Sequence, residues 1–220
     1  MLLTHLHRDH ADAEAVTRWA DPGASILGPR SAPAGNPLDD VGTAAARSEF
    51  DAAGREITEL DEWEQVEIGP FTVTAVPAAD GTGESQLSWA IAAGGQRILH
   101  CGDTLFHGWW WRLTNIAGPF DAAFLPINGP VVNFPWRQPP SPSPAAMTPE
   151  DAVLAGRLLG AGATVPIHFG GFDLEPFYRS TAEALERFTS AAHQQELTIR
   201  PFQVGEVVDV DALPIDRSGE

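Results

Sequence analysis

Three histidines and one aspartate lie within six residues near the start of the chain, in the run Thr4-His5-Leu6-His7-Arg8-Asp9-His10. Alternate side chains of an extended segment share a face, so His5 and His7 are predicted to point at one metal ion. The pattern turns helical from Asp9, which brings Asp9 and His10 back toward the same place from a second direction. This mixture of imidazole and carboxylate donors suits zinc, with iron, manganese or nickel as alternatives.

A second interpretation of the same run needs no metal. Residues 1–4 are apolar and read as the end of a buried strand, and Asp9 is a candidate N-cap for the helix that follows. On this interpretation the histidines belong to a polar turn between strand and helix. Both interpretations remain open at this point.

Strands and helices further along the chain must bring distant residues to this cluster. Hairpin-like strand pairs suggest a mixed or antiparallel sheet, and helix–strand units follow them along the chain. The helix opening at Thr148-Pro149-Glu150-Asp151 has a capping residue, a proline at the first position and acids in the first turn. Helices are predicted at residues 9–19, 41–51, 148–160 and 180–194, and strands at 65–68, 71–76, 87–92, 97–101, 120–126, 164–167, 198–202 and 207–210.

The composition narrows the classes of function. The 220 residues predict a single domain spanning 1–220, with a formal net charge of -17 that argues against binding to phosphate backbones. All 13 basic side chains are arginines, so Schiff-base chemistry and a P-loop lysine are both excluded. We therefore expect a small-molecule substrate and no nucleic-acid partner.

The location is predicted from what the sequence lacks. Cys101 is the only cysteine, so no intrachain disulfide is expected. No apolar run approaches the ~20 residues of a membrane helix, and the first residues lack the pattern of a signal peptide. The expectation is a cytoplasmic protein with no membrane partner.

The run from His5 to His10 resembles the His-x-His-x-Asp-His signature of the metallo-β-lactamase superfamily, and further matches follow in the order typical of that family. Asp103, in His-Cys-Gly-Asp-Thr, resembles the bridging aspartate, and His168, in Pro-Ile-His-Phe-Gly, resembles the last metal-binding histidine. The resemblance implies an α/β fold, the four-layer αββα sandwich, here with N-terminal strands missing. The sequence around Val-Pro-Ala-Ala-Asp80 and the segment 148–168 look like the ascorbate-6-phosphate-lactonase-like and phospholipase-D-like branch.

The resemblance also implies roles for these residues. One ion would be held by His5, His7 and a third protein ligand. The other would be held by Asp9, His10 and His168, with Asp103 bridging the two. Asp9 and Asp103 would be the catalytic carboxylates, and a hydroxide bridging two zinc ions would attack a small lactone, ester or phosphoester. The alternative is a degenerate, non-catalytic metal-binding protein of the same fold.

Two departures from the family pattern affect these expectations. Asp80 stands where the family has a histidine, so it is either a substitute ligand or the mark of a weakened or empty first site. Met1 lies only four residues before His5, whereas several strands precede the motif in the family. A sheet left uncovered in this way could be covered by a partner chain, so a homo-oligomer is also considered.

Several other residues are candidates for the surroundings of the site. Asn128-Gly129-Pro130 is predicted to form part of the substrate rim, and at least one of Trp109, Trp110 and Trp111 to line a pocket or an interface, with burial under a loop as the alternative. His100 and His107 are expected to contact ligands or the pocket rather than the ions. The arginines considered for binding a phosphate are Arg112, Arg137 and Arg179.

Overall fold

A computed structural model describes residues 1–33, 35 and 37–210, so the last part of the predicted domain, 211–220, lies outside the described residues. Five helices and ten strands follow one another along the chain. In order they are α1 (Ala13–Trp19), β1 (Ile26–Pro29), α2 (Pro37–Ala52), β2 (Ile57–Leu60), β3 (Gln65–Ile68), β4 (Phe71–Pro77), β5 (Leu87–Ala93), β6 (Gln96–His100), α3 (Trp110–Ala117), β7 (Ala122–Pro126), β8 (Val131–Val132), α4 (Pro149–Leu159), β9 (Ala163–Ile167), β10 (Tyr178–Arg179) and α5 (Ala184–Gln194).

The main sheet has six strands in the order β3-β4-β5-β6-β7-β9. The first four are antiparallel neighbours. Two-residue turns connect β3 to β4 and β5 to β6, whereas residues 78–86 connect β4 to β5. Gly94 and Gly95 form the two-residue turn between β5 and β6, and both have positive φ (59° and 83°), as a tight hairpin turn with the right twist requires. β6, β7 and β9 are parallel, with α3 and α4 in the connections between them.

A second, small sheet of β1 and β2 lies between the main sheet and helices α1 and α2. Side chains of β4 show the layering, since Val73 and Ala75 pack toward β1 and β2 while Val76 packs toward α3, α4 and α5. The indole N–H of Trp89 in β5 donates to the carbonyl of Leu3 at 3.2 Å, which ties the start of the chain to this middle layer. The predicted four-layer α/β/β/α order is confirmed.

Helix α4 shows how local sequence sets an element that positions the site. The Thr148 hydroxyl accepts from the backbone N–H of Asp151 at 3.2 Å, and the Asp151 carboxylate accepts from the N–H of Thr148 at 3.2 Å. This capping box satisfies two of the otherwise unpaired N–H groups and contributes about 1 kcal/mol. Gly160 ends the helix in the left-handed conformation (φ 58°), and β9 begins three residues later.

Some predicted elements are wrong. The N-cap of α1 is Asp12, whose carboxylate accepts from Ala15 N–H at 3.0 Å, and not Asp9. Residues 1–4 form one bridge to β1, through Leu2 and Leu27, rather than a strand. Helix α5 begins at Ala184 and not at residue 180.

The two predicted closing strands are also wrong. Residues 198–202 make a single bridge, between Thr164 and Ile199, because Pro201 has no N–H to continue a ladder. Residues 207–210 follow a turn at Gly205 (φ 83°) and pair with no strand among the described residues.

Candidate metal centre

The run after residue 4 folds into a tight turn. Backbone N–H groups of His10 and Ala11 donate to the carbonyl of His7 at 2.9 and 2.8 Å. Leu6 packs in the core between α1, α2 and β1, so its neighbours His5 and His7 project to the opposite side. Their ring centroids are 4.4 Å apart, and His5 and His10 are 4.1 Å apart. Three imidazoles are thus gathered by local backbone geometry.

Asp103 reaches this turn from the loop after β6. Gly102, just before it, has a φ of 57°, and a Cβ atom there would lie 2.8 Å from the Cβ of Thr4. Only glycine combines this backbone conformation with so close an approach. The sequence Gly-Asp therefore places the Asp103 carboxylate against the N-terminal histidines.

His168 reaches the site from the end of β9. β6, β7 and β9 are parallel, so their carboxyl ends meet at one edge of the sheet, where the loops of Asp103 and His168 both lie. His168 has a φ of 56°, a left-handed conformation that costs on the order of 1 kcal/mol for a residue with a side chain. Such strain is typical of side chains held for a function.

Asp9, His10, Asp103 and His168 form what we call the Asp103 cluster, with one ligand atom from each residue within 4.8 Å of the others. The Nε2 atoms of His10 and His168 each lie 3.2 Å from a different oxygen of Asp103. Asp9 Oδ2 lies 3.5 Å from His10 Nε2 and 3.8 Å from His168 Nε2. The two carboxylates and two imidazoles therefore face a common point.

His5, His7 and Asp80 form the His5 cluster, by the same 4.8 Å measure. His5 is fully buried, and its Nδ1 lies 3.1 Å from the hydroxyl of Thr4, which orients the ring. His5 Nε2 lies 4.0 Å from Asp103 Oδ2 and has no hydrogen-bond partner among the described residues. A buried ring nitrogen without a partner is costly unless it serves as a ligand, so the donor set fits a metal ion here.

Electrostatics hold three of the donors, His5, Asp9 and Asp103, in the forms that bind metal. Burial, together with neighbouring His10 and His7, lowers the pKa of His5 to about 3, so its ring is neutral. Burial opposes ionisation of Asp103, but the hydrogen bond from His10 and the charges of His10, His168 and His5 together outweigh it and hold the pKa of this carboxyl below its usual range. A hydrogen bond with His168 likewise keeps the pKa of Asp9 well below its usual value. Neutral imidazole and ionised carboxylate are the ligand forms.

Gln86 links the two clusters. In the amide orientation that satisfies both of its ends, Gln86 donates to Asp80 Oδ2 at 3.1 Å and accepts from the N–H groups of Asp103 and Thr104 at 3.1 and 3.0 Å. The other oxygen of Asp80 accepts from the backbone N–H of Thr82 at 2.6 Å. Asp80 is therefore fixed from both sides, which orients a carboxylate at the position where the family has histidine.

Glu84 is a site residue that no motif in the sequence indicates. Its Oε1 lies 2.9 Å from His7 Nε2 and 3.2 Å from Arg137, which in turn lies 2.8 Å from Asp39 of α2. Burial lowers the pKa of His7, but the hydrogen bond and charge of Glu84 outweigh it and raise the value to about 8. A carboxylate on one ring nitrogen fixes the tautomer and leaves Nδ1 of His7 as the nitrogen that can bind metal.

A cleft of about 1070 Å³ opens beside both clusters. Asn128 and Pro130 of the predicted rim line it, and the Asn128 amide donates to the Tyr178 hydroxyl at 2.7 Å. Burial raises the pKa of Tyr178 to about 12, so this hydroxyl is neutral and keeps a proton to donate. The walls of the cleft also include Leu38, Val132, Phe134, Trp136, Phe169 and Phe172.

Other candidate residues lie away from the cleft. His100 accepts from the N–H of Gly102 at 3.3 Å, beneath the Asp103 loop. His107 stacks on buried Trp110 at 4.1 Å. Trp109 and Trp111 are exposed, and neither is among the residues that line the cleft.

The structure therefore brings together all seven residues for which the sequence predicted metal binding, from four separate segments of the chain. Metal binding itself stays a prediction. The signal for these seven was the type and order of residues along the sequence.

Two features define the class of protein to which the chain belongs. The fold is an α/β sandwich with a mixed sheet, and paired histidine–carboxylate clusters lie at the carboxyl ends of its parallel strands. The chain belongs to the metallo-β-lactamase superfamily, since the family model described as beta-lactamase superfamily domain matches residues 1–169.

Relatives agree with this membership. An uncharacterized protein of Mycobacterium tuberculosis is 29% identical over 219 residues, which is 95% of this chain but 54% of the relative. A UPF0173 metal-dependent hydrolase of Rubrobacter xylanophilus is 29% identical over 90% of this chain and 71% of its own length. Igni18, a metallo hydrolase of Ignicoccus hospitalis, has the same fold, with a TM-score of 0.66 and 20% identity over 94% of this chain and 77% of its own.

The chain thus spans about half the length of the mycobacterial relative. None of the helices in the described part of the chain is long and apolar enough to cross a membrane.

Proposed function

We propose that the protein is a metal-dependent hydrolase that binds two divalent ions, one at the Asp103 cluster and one at the His5 cluster. The observation that carries the proposal is the convergence of four chain segments on one point, with Asp103 contacting histidines of both clusters. The UPF0173 relatives, which are named metal-dependent hydrolases, support it.

The proposed ligands are the predicted ones, with zinc as the favoured metal and manganese, iron or nickel as alternatives. Four imidazoles and three carboxylates make a borderline donor set that suits any of these ions. Bound at this edge of the sheet, the ions would supply an activated water and polarise the bond to be broken.

The chain's own residues would orient the reactants. Asp9 and Asp103 are the carboxylates that lie near both His10 and His168, so they would hold the ion of the Asp103 cluster. The neutral Tyr178 hydroxyl faces the cleft and would donate a hydrogen bond to the oxygen on which negative charge develops.

The substrate range of the proposal is a small lactone, ester or phosphoester. The Val-Pro-Ala-Ala-Asp80 segment and the α4–β9 unit support the lactonase-like and phospholipase-D-like branch. The substrate range and the branch are both proposals, because the relatives' names identify no substrate.

Elemental analysis tests the metal proposal. The full chain, purified and reconstituted with zinc, should hold about two ions, and Asp103→Ala should lose at least one, because Asp103 faces both clusters. His193→Gln, on the exposed side of α5, is the matched control and should bind as the wild type does. A wild-type chain without metal after reconstitution would refute the proposal.

The second candidate function is a non-catalytic metal-binding protein, and the presence of Asp80 favours it. If Asp80 weakens metal binding at the His5 cluster, Asp80→His should raise the number of bound ions. The wild type should then hydrolyse neither 4-nitrophenyl acetate nor bis(4-nitrophenyl) phosphate. Hydrolysis of either compound that EDTA abolishes and zinc restores would exclude this alternative.

A further inference from the structure

Part of the lining of the cleft is apolar and aromatic. Phe134 and Trp136 are stacked with centroids 4.8 Å apart and planes at 3°. Leu38 is 56% exposed, Trp136 44% and Phe172 61%. Large apolar side chains that stay exposed inside a concave surface mark a place where an apolar group binds.

The cationic groups of the cleft are already neutralised. Arg137 lies between Asp39 (2.8 Å) and Glu84 (3.2 Å). Arg8 lies 3.9 Å from Glu49 and is 85% exposed at the mouth. The Arg137 guanidinium would have to leave a carboxylate to pair with a phosphate, and the exposed Arg8 guanidinium would hold a phosphate only through a solvent-screened charge.

The formal charge of the cleft also argues against a phosphate substrate. Among the described residues that line the cleft, six carboxylates (Asp9, Asp39, Glu49, Asp80, Glu84 and Asp103) face two guanidinium groups, a formal charge of -4. Two divalent ions would bring this to zero. A doubly charged phosphate would therefore enter without an excess of positive charge to hold it.

The other arginines considered for phosphate binding lie elsewhere. The Arg112 guanidinium lies over the rings of Trp63 and Trp109, at 5.0 and 5.3 Å. Arg179 belongs to β10 and is not among the residues that line the cleft. The arginine positions therefore favour an uncharged substrate.

We propose that the substrate is an uncharged ester or lactone with a bulky apolar group, which packs on Leu38, Trp136 and Phe172 while its carbonyl lies at the metal clusters. This inference rests on the proposed hydrolase function and selects one class from its range. The oxygen of water bonds to the carbonyl carbon, the C–O bond of the ester breaks, and the leaving oxygen takes a proton. An ester yields a carboxylic acid and an alcohol, and a lactone yields a single hydroxy acid.

Acyl-chain length tests the inference directly. For the zinc-loaded full chain, kcat/KM should rise at least about tenfold from 4-nitrophenyl acetate to 4-nitrophenyl octanoate, because each added methylene is removed from water. 4-Nitrophenyl phosphate and bis(4-nitrophenyl) phosphate should be turned over more slowly than the octanoate. A flat chain-length profile, or a higher kcat/KM for either phosphoester, would overturn it.

Variants locate the effect in the cleft. Trp136→Ala and Leu38→Asp should reduce the ratio of octanoate to acetate kcat/KM to below about threefold. Trp111→Ala removes an exposed aromatic side chain on α3, outside the cleft, and should leave the ratio unchanged. Equal loss of preference in Trp111→Ala would assign the effect to the protein surface in general and overturn the inference.

A binding measurement separates this inference from the hydrolase proposal. Octanamide, which is neutral, should bind the zinc-loaded wild type with a measurable calorimetric affinity that falls at least about fivefold in Trp136→Ala, and phenyl phosphate should bind more weakly. If no ester is hydrolysed, octanamide binding still supports the apolar cleft. Failure of octanamide to bind would overturn it even in an active enzyme.

Discussion

At the scale of single residues, the chemistry of the site depends on side chains that contact the donors from behind. His7 donates to Glu84, Glu84 contacts Arg137, and Arg137 contacts Asp39. This chain of ion pairs spans the cleft from α2 to the His5 cluster. Its members are 32 to 130 residues apart in the sequence, so no fixed spacing in the sequence indicates them.

Glu84→Gln should weaken zinc binding by roughly 10- to 100-fold, because the partner of a ligating histidine fixes its ring and raises its basicity. Competition with a chromophoric chelator measures this. Glu14→Gln, which breaks an exposed pair with Arg18 in α1, is the control and should not change the affinity. Equal affinities for wild type and Glu84→Gln would show that His7 needs no such partner.

His107 gives a prediction on pH. Burial lowers its pKa to about 4, whereas an unfolded histidine titrates near 6.5, so the folded chain holds fewer protons between these values. Its contribution to stability is complete above about pH 6.5 and is lost as the pH falls toward 4.

His107→Phe keeps the stack on Trp110 and should reduce the loss of unfolding free energy between pH 7 and pH 5 by about 1 kcal/mol. Urea unfolding of the metal-free chain at the two pH values checks this, with His193→Gln as a control that keeps the wild-type slope. An unchanged pH slope in His107→Phe would show that this ring is protonated in the folded state.

At the scale of elements, the loop after β6 depends on a close contact that only glycine permits. Gly102→Ala should lower the unfolding free energy by about 1–2 kcal/mol and weaken zinc binding, since its Cβ would meet Thr4 and displace Asp103. Gly23→Ala, where a Cβ meets nothing within 4 Å, is the control. Calorimetric unfolding and zinc titration of both variants decide it, and a Gly102→Ala chain with wild-type affinity would contradict it.

Elements with strong local signals were predictable, and those set by distant contacts were not. The Thr148 capping box and the Gly94-Gly95 turn each carry their own signal, and the corresponding elements are present. β1 reads Ile-Leu-Gly-Pro, in which glycine and proline weaken the strand pattern, and it exists because β2 pairs with it. Helix α3 begins without a capping side chain, so its start was not recognised.

The residues of the site likewise divide into those that the sequence indicates and those that it does not. Six of the predicted metal ligands match a motif whose order is visible in the sequence: His5, His7, Asp9, His10, Asp103 and His168. Asp80 is indicated by its position in the Val-Pro-Ala-Ala-Asp segment. The sequence does not indicate the site contacts of Glu84, Gln86 and Tyr178, because the partners of these residues lie at no fixed spacing along the chain.

At the scale of the whole molecule, ion binding should be coupled to folding, because the ligands belong to segments that only the folded chain brings together. Zinc at about 1,000 times its dissociation constant stabilises by about 4 kcal/mol, which for a domain of this size raises the thermal midpoint by about 10 °C.

Differential scanning calorimetry with zinc and then with excess EDTA measures this shift. His168→Ala, which removes one donor from the Asp103 cluster, should lose at least half of the shift, whereas His193→Gln should keep all of it. The same midpoint with and without zinc in the wild type would show that the clusters bind no ion in the folded chain.

The Gln86 amide spans Asp80 on one side and the backbone before Asp103 and Thr104 on the other. Ordering either carboxylate by a first ion therefore restrains the other through one rigid planar group, and the two ions should load cooperatively, with a Hill coefficient above one. Gln86→Leu should lower the Hill coefficient toward one, because only Asp103 would then couple the two clusters, and a half-loaded species should accumulate.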